Sequence, residues 1–333
     1  MIIVLKQSAT PEQAEDLRCW IRCHDLDVQT IMGEHQNVLV VIGDADRLDG
    51  AYIEDLDTVE YVKSVSQPYK LAGRTGRTED TVVSVGGVKI GGGNFAMIAG
   101  PCSVESSRQM QGIAAAVKDA GAVILRGGAF KPRTSPYSFQ GLGESALPLL
   151  AQAGRNNGMP IVSEITEKEQ LEMFECVDLI QVGARNMQNF ELLKELGRID
   201  NPILLKRGWA NTVKELLTSA EYIMKGGNER IILCERGIRT FEPYTRNTLD
   251  LSAVAVVKDL SHLPIIVDPS HATGHAKYIE AMSLAAAAAG ADGLMIEVHD
   301  DPAQSKCDAA QAITPDEFAR IAEKVNALRA AVF

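Results

Sequence analysis

The chain has 333 residues, 46% of them apolar, and a formal net charge of -11. That length suits two domains, or one large barrel with an addition, and the acidity excludes a protein that coats nucleic acid through bulk positive charge. No apolar run of about 18 residues or more reads as a membrane span, and the start Met1-Ile2-Ile3-Val4-Leu5 lacks the basic stretch of a secretory leader. A cytoplasmic location is expected, with Cys19, Cys23, Cys102, Cys176, Cys234 and Cys307 as thiols in a reducing compartment.

In chain order, residues 1–6 read as a buried strand. Thr10-Pro11-Glu12 is a capped helix start, and the helix runs to about residue 24. Cys19 and Cys23, spaced i, i+4, share one face of it and are assigned no metal. Residues 27–32 and 38–42 read as strands, 44–56 as a short helix and 59–65 as a last strand. The order βαββαβ predicts a small ferredoxin-like domain over 1–70 without a catalytic constellation. Residues 71–93 are expected to be a linker and a β-hairpin. The linker composition begins at Gln67-Pro68 and takes in Lys70, Arg74, Gly76, Arg77 and Thr78; the hairpin turns at Gly86-Gly87 within 81–90. Over 94–333, strands at 95–99, 123–126, 160–164, 179–182, 203–206, 230–234, 265–268 and 293–297 alternate with about seven helical segments, and a final helix spans 314–331. This α/β pattern counts out a (β/α)8 TIM barrel. A doubly wound sheet is the rival, but no Gly-x-Gly-x-x-Gly follows the first of these strands.

The site of a parallel barrel lies at the C-terminal ends of its strands. Arg126, Lys131 and Arg133 fall within eight residues, just after the apolar run 122–125. Three like charges on one glycine-containing loop of an acidic protein predict an anion among them, since Arg forks onto carboxylate or phosphate and Lys adds a mobile charge. The other strand ends deliver Cys102, Glu164, Arg185, Lys206-Arg207, Glu235-Arg236, Asp268-Pro269-Ser270-His271 and Glu297-Val298-His299. Arg126, Lys131, Arg133, Arg185, Lys206 and Arg236 suffice for at least two anionic groups. Cys102, His271, Glu297 and Asp308 together suit a divalent transition metal such as Mn, Zn, Fe or Co, although each alone has an ordinary structural explanation. His275 and His299 are rival imidazoles on the same sequence evidence.

These residues carry a family resemblance. Gly100-Pro101-Cys102-Ser103-Val104-Glu105-Ser106, the run from Gly127 to Gly143 (GGAFKPRTSPYSFQGLG), Gly183-Ala184-Arg185-Asn186, Leu205-Lys206-Arg207-Gly208, Cys234-Glu235-Arg236-Gly237 and Asp268-Pro269-Ser270-His271 resemble the signatures of 3-deoxy-D-arabino-heptulosonate 7-phosphate (DAHP) synthases. The small first domain is similar to that of the subgroup with a short N-terminal regulatory unit. Cys307-Asp308-Ala309-Ala310-Gln311-Ala312 stands where relatives often carry Ser-Asp-Gly-x-Gln-Ser. The resemblance implies a transferase of aromatic amino acid biosynthesis that condenses phosphoenolpyruvate with erythrose 4-phosphate at the first step of the shikimate pathway. It implies phosphate binding by Arg185, Lys206 and Arg236, and carboxylate binding by Arg126, Lys131 and Lys206. Arg133 and Thr134 would clamp the erythrose phosphate, and the metal on Cys102, His271, Glu297 and Asp308 would act as a Lewis acid on the aldehyde. Lys131, Glu164 and His271 are the expected catalytic set. Lys131 would be a proton donor with a pKa lowered by Arg126 and Arg133, and Glu164 would position water. A homotetramer and an aromatic amino acid as inhibitor are further implications. Two alternatives are a 3-deoxy-octulosonate 8-phosphate synthase, which uses a five-carbon aldose phosphate, and a non-catalytic amino-acid sensor. The single Pro132 between Lys131 and Arg133, where octulosonate synthases typically place Ala-Asn, argues for the shorter aldose.

Overall fold

The computed structural model describes residues 1–32, 37–42, 45–63, 68–74, 77, 79–132, 135 and 137–332. The chain divides into two compact units, Met1–Pro68 and Tyr69–Phe333.

In the first unit, β1 (Ile2–Leu5), β2 (Asp27–Met32), β3 (Asn37–Ile42) and β4 (Val59–Lys63) form an antiparallel sheet in the order β2–β3–β1–β4. Helix α1 (Pro11–Arg22) begins with a capping box. Thr10 accepts from the Gln13 N–H, the Gln13 side chain accepts from the Thr10 N–H, and Pro11 takes the first turn, where its missing N–H costs nothing. Leu17 and Ile21 of α1, with Ile53 of α2 (Gly50–Glu54), bury against Ile3, Leu5, Leu39 and Val41. The ferredoxin-like βαββαβ arrangement is therefore present. The helix expected over 44–56 is instead a 3₁₀ turn, Ala45–Arg47, followed by α2. Asp49 is the reason: its carboxylate accepts from the Ala51 and Tyr52 N–H groups, and so starts a new helix instead of continuing an old one. Residues 64–65 of the expected last strand lie outside the described residues.

The second unit opens with a hairpin, β5 (Val83–Val85) and β6 (Val88–Ile90). Eight parallel strands then close into a barrel: β7 (Ala96–Gly100), β8 (Ile124–Arg126), β9 (Ile161–Ile165), β10 (Leu179–Val182), β11 (Ile203–Lys206), β12 (Ile231–Glu235), β13 (Ile265–Val267) and β14 (Gly293–Glu297), with β14 pairing back to β7. Their ends differ from the sequence reading by a single residue at most. Around them run α3 (Ser107–Asp119), α4 (Ala146–Asn156), α5 (Phe190–Leu196), α6 (Val213–Lys225), α7 (Ser252–Leu260), the short α8 (Pro269–Thr273), α9 (Ile279–Ala288) and α10 (Pro315–Val332). Between β9 and β10 the connection is 3₁₀, Lys168–Cys176.

Successive side chains on a strand face opposite ways. Ile98, Ile124, Val162, Leu179, Leu204, Ile232, Ile266 and Met295 point inward and share a core with Val83, Val85 and Ile90 of the hairpin. Their neighbours, Met97, Leu125, Ile161, Ile180, Leu205 and Leu294 among them, pack outward against the helices. The hairpin lies at the N-terminal ends of the strands, where Gly86 abuts Pro160 and Gly91 abuts Pro264. Burying three such side chains contributes about 1.5–3 kcal/mol each, which offsets about 1–2 kcal/mol of backbone ordering per residue.

The stretch expected as a linker is bound into the barrel unit. Tyr69 and Ala72 are buried in its outer core. The Glu221 carboxylate accepts from the Leu71 and Ala72 N–H groups at 3.0 and 2.8 Å, Arg74 donates to the Lys258 carbonyl, and His262 bonds both Thr81 Oγ1 and the Leu71 carbonyl. Gln67, Gly76 and Thr78 lie outside the described residues.

Candidate active site

The two-residue period of the strands decides which rim residues reach the barrel axis. Counting upward from the inward Ile124, Val162, Leu204, Cys234, Ile266 and Met295, the next inward positions are Arg126, Glu164, Lys206, Arg236, Asp268 and Glu297. Arg207 and Glu235 are out of phase by one residue. They do not join the cleft but pair with each other at 2.8 Å, and Arg207 also pairs with Asp250 at 2.8 Å. The loops above complete a cleft of about 270 Å³ lined by Cys102, Lys131, Glu164, Arg185, Lys206, Trp209, Arg236, Arg246, His271 and Asp308, among others.

On one wall, Cys102, His271, Glu297 and Asp308 each offer a ligand atom, and the four atoms lie within 4.8 Å of one another. They come from three adjacent strands, β13, β14 and β7, and from the loop after β14. Cys102 Sγ is 4.0 Å from His271 Nε2 and 3.5 Å from Asp308 Oδ2, and His271 Nε2 is 3.6 Å from Glu297 Oε2. Asp268 fixes the imidazole. It is the N-cap of α8, accepts from the His271 backbone N–H at 2.9 Å, and takes the ring Nδ1–H at 2.9 Å. An ionised carboxylate only accepts, so Nδ1 carries the proton and Nε2 presents its lone pair to the cluster. Burial alone would raise the Asp268 pKa, but His271, Lys206 and Arg126 outweigh it and hold it well below the usual carboxylate range. Lys206 Nζ closes this network at 2.5 Å from Asp268 Oδ2.

The same residues test whether a divalent metal fits. Glu297 Oε1 is buried and has no hydrogen-bond partner among the described residues. Burial, then the neighbouring Cys102 sulfur, push the Glu297 carboxyl well above its usual range. The Cys102 thiol is pushed up to about 12 by its bond to Cys307 and by burial. A thiol, an imidazole and two carboxyl groups gathered in one buried place, with one oxygen orphaned, suit a cation that takes N, O and S ligands. The rival imidazoles are elsewhere. His299 bonds Gln109 and lies beside Glu105 and Asp300, while His275 stacks edge-on against Tyr278.

The same cleft is cationic. Arg126 and Arg236 are buried, and each has an Nη1 without a partner among the described residues. Such orphaned donors are an invitation to phosphate or carboxylate oxygens. Arg185, Arg236 and Arg239 surround the indole of Trp209, with their guanidinium carbons 5.0, 5.6 and 5.1 Å from its ring. The negative ring face tempers the mutual repulsion of the three cations. Lys131 is buried beside Gly128, where a Cβ would lie 2.4 Å from Lys131 Nζ and 2.6 Å from the Cys102 carbonyl oxygen. The expected depression of the Lys131 pKa is corrected. Burial acts in that direction, but Cys102, Glu164 and Cys307 outweigh it and raise the pKa. The thiols and the carboxylate act on Lys131 more strongly than Arg126 does. Arg133 and Thr134 lie outside the described residues.

Three participants in this geometry were given no role from sequence: Asp268, named only as part of its strand end, and Trp209 and Arg246, not named at all. Asp268 has a local signal, an Asp-Pro-x-His helix start. Trp209 and Arg246 stand in loops three residues beyond β11 and eleven beyond β12, where no period applies.

The description "DAHP synthetase I family" matches residues 70–332, and "DAHP synthase ferredoxin-like domain" matches residues 1–67. The chain is 46% identical over 329 residues to the phospho-2-dehydro-3-deoxyheptonate aldolase of Thermotoga maritima, covering 98% of this chain and 97% of that protein. The crystal structure of a Thermotoga maritima DAHP synthase superposes with a TM-score of 0.88 at 45% identity, covering 99% of this chain and 97% of that one. A 2-dehydro-3-deoxyphosphooctonate aldolase of Syntrophotalea carbinolica is 31% identical, over 72% of this chain and 94% of its own.

Proposed function

The chain belongs to the DAHP synthetase I family, and from that premise we propose a division of labour within its cleft. The reaction is the condensation of phosphoenolpyruvate with erythrose 4-phosphate and water, giving DAHP and phosphate at the first step of the shikimate pathway. The observation that carries the assignment is that buried cations, two of them with donors unpartnered among the described residues, and a four-ligand cluster meet at one cleft.

Phosphoenolpyruvate brings two anionic groups. Arg185, Lys206 and Arg236 take its phosphate, and Arg126, Lys131 and Lys206 its carboxylate. Trp209 keeps Arg185 and Arg236 in register for this. The aldose phosphate is held by Arg133 and Thr134. Cys102, His271, Glu297 and Asp308 hold a divalent ion, which when bound supplies Lewis acidity at the aldehyde. Carbon 3 of phosphoenolpyruvate attacks the aldehyde carbon, and positive charge develops at carbon 2. Lys131, kept as an ammonium, donates a proton to the new alkoxide. Glu164, whose Oε2 accepts from Gln181 at 2.9 Å, positions the water that adds at carbon 2, and the proton this water releases replaces the one Lys131 gave up. The resulting tetrahedral carbon expels phosphate by C–O cleavage. Assembly as a homotetramer, inhibition by an aromatic amino acid and a cytoplasmic location belong to the same reading; all six cysteines being thiols, not disulfides, supports the last.

The aldose follows from the loop. Pro132 is the single residue between Lys131 and Arg133. It fixes its own φ near roughly -65° and restricts Lys131 to extended conformations, so the spacing has little freedom to adjust. Misplacing a reacting group by about 1 Å costs on the order of 100-fold in rate. A phosphate-release assay is expected to give a far higher kcat/KM with erythrose 4-phosphate than with arabinose 5-phosphate. Equal use of both would refute the choice of aldose, and no phosphate with either would refute the enzyme.

A further inference from the structure

We propose that Arg246 is a positioning residue that sets two of the four metal ligands, Asp308 directly and Glu297 through Gln311. The inference rests on the reading that Cys102, His271, Glu297 and Asp308 hold a divalent cation.

The guanidinium of Arg246 touches both ends of one short turn. Its Nη1 donates to Asp308 Oδ1 at 3.3 Å and to Gln311 Oε1 at 3.0 Å. Asp308 and Gln311 are themselves joined, because the Gln311 backbone N–H bonds the Asp308 carbonyl at 3.0 Å. Asp308 has a left-handed backbone, φ 53, which non-glycine residues adopt sparingly and which external contacts help to hold. Gln311 is 2% exposed and passes the contact inward: its Nε2 donates to Glu297 Oε2 at 2.8 Å.

The chemistry of arginine makes this chain directional. A guanidinium only donates, so the amide group facing it is the oxygen of Gln311. The amide nitrogen is then turned toward Glu297 and donates to Oε2, the oxygen that lies 3.6 Å from His271 Nε2, so the bond fixes the carboxylate where it meets the cluster. Without Arg246 the amide is free to turn over, which would set one carbonyl oxygen against a carboxylate oxygen. Arg246 is also tied to the element carrying the third ligand. Its backbone N–H bonds the Thr273 carbonyl at 2.9 Å, the Asn247 N–H bonds Ala272 at 2.8 Å, and Asn247 Nδ2 donates to the His271 carbonyl at 3.2 Å. One loop residue therefore fixes the loop after β14 relative to α8.

Groups that orient a ligand from behind typically contribute 10- to 100-fold to metal affinity. The test is Mn²⁺ binding to the metal-stripped full chain, read from the spin-resonance signal of free aquo-Mn²⁺, in the wild type, Arg246→Met, Gln311→Met, the double variant and His271→Ala. Arg246→Met and Gln311→Met are each expected to weaken Mn²⁺ binding roughly 10- to 100-fold, with the melting temperature of the metal-free protein unchanged. The double variant is expected to bind no more weakly than the worse single one, because the two residues act in series. Methionine preserves the volume at position 311, so a purely packing role would leave its Mn²⁺ affinity intact. Binding within twofold of wild type in both single variants, or additive losses in the double variant, would overturn the inference while His271→Ala still abolishes binding. Wild-type Mn²⁺ binding that is absent, or indifferent to His271→Ala, would overturn the metal-site reading and the inference with it.

Discussion

At the scale of single residues, the cleft is a set of groups whose ordinary partners have been withheld. Among the described residues, Glu297 Oε1, Arg126 Nη1 and Arg236 Nη1 are buried without hydrogen bonds, and each such orphan costs about 1–3 kcal/mol or more until a ligand meets it. The stability given up there is the binding energy held for metal and substrate. Chelation is accordingly expected to abolish turnover and Mn²⁺ to restore it. Cys102→Ala and His271→Ala should lose metal affinity while keeping the melting temperature, since neither residue belongs to the two barrel cores. Full turnover in a preparation verified to be metal-free would defeat this. A second substitution tests Glu164. A Cβ at Gly183 would stand 2.0 Å from Glu164 Oε1, while Gln181 holds the other oxygen, so Gly183→Ala displaces the carboxylate. A fall in kcat on the order of 100-fold is expected, with phosphoenolpyruvate binding less affected; an unchanged kcat would remove Glu164 from the reaction. The nature of the orphaned groups was readable from residue types, but that Lys131 is held protonated was not, because it depends on the thiols and carboxylate it meets across the barrel.

At the scale of elements, one rule separates working residues from structural ones. Lys206 and Arg207 are sequence neighbours, as are Glu235 and Arg236, yet one of each pair faces the axis and the other does not. The inward phase was available in the sequence, since it continues the apolar residues below. The outward partners could have been set aside on that ground alone. The segment before the barrel is held by different means. His262 is buried, and its Nδ1 and Nε2 meet Thr81 Oγ1 at 2.7 Å and the Leu71 carbonyl at 2.6 Å. A carbonyl only accepts, so Nε2 carries the proton and the neutral ring accepts from Thr81. Burial lowers the His262 pKa below its ordinary 6.5. The folded chain therefore refuses a proton that the unfolded chain takes. The stabilisation is present above about pH 6.5 and is lost as pH falls toward the depressed folded value. The melting temperature should drop more steeply from about pH 7.5 to about pH 5.5 in the wild type than in His262→Gln, which keeps a donor and an acceptor but does not titrate. Parallel curves would contradict this account.

At the scale of the whole molecule, every residue assigned to the reaction lies in the second unit, which has its own cores. Deleting residues 1–68 is expected to leave turnover largely intact and to remove any inhibition by aromatic amino acids. The cut belongs before Tyr69, because Tyr69 and Ala72 are part of the barrel's outer core. Loss of all turnover in a folded truncation would show that the first unit builds the site.

What the sequence determined by itself was everything carried by short-range periodicity and local chemistry. The eight strands follow from apolar runs punctuated by turns, α1 from its Thr-Pro cap, the hairpin from Gly86-Gly87, and the gathering of Cys102, His271 and Glu297 from barrel closure, which makes the first, seventh and eighth strands neighbours. What only the tertiary structure decided concerns pairs distant in sequence. It separated His271 from His275 and His299, tied the apparent linker to Glu221 and His262, ringed Trp209 with three arginines, and set Arg246 against Gln311. Those contacts span between 24 and 191 residues of chain. The physical reason is that a hydrogen bond or a charge pair has no sequence period: it exists only where the closed barrel brings loop ends together, and the loops are where the pattern of alternation stops.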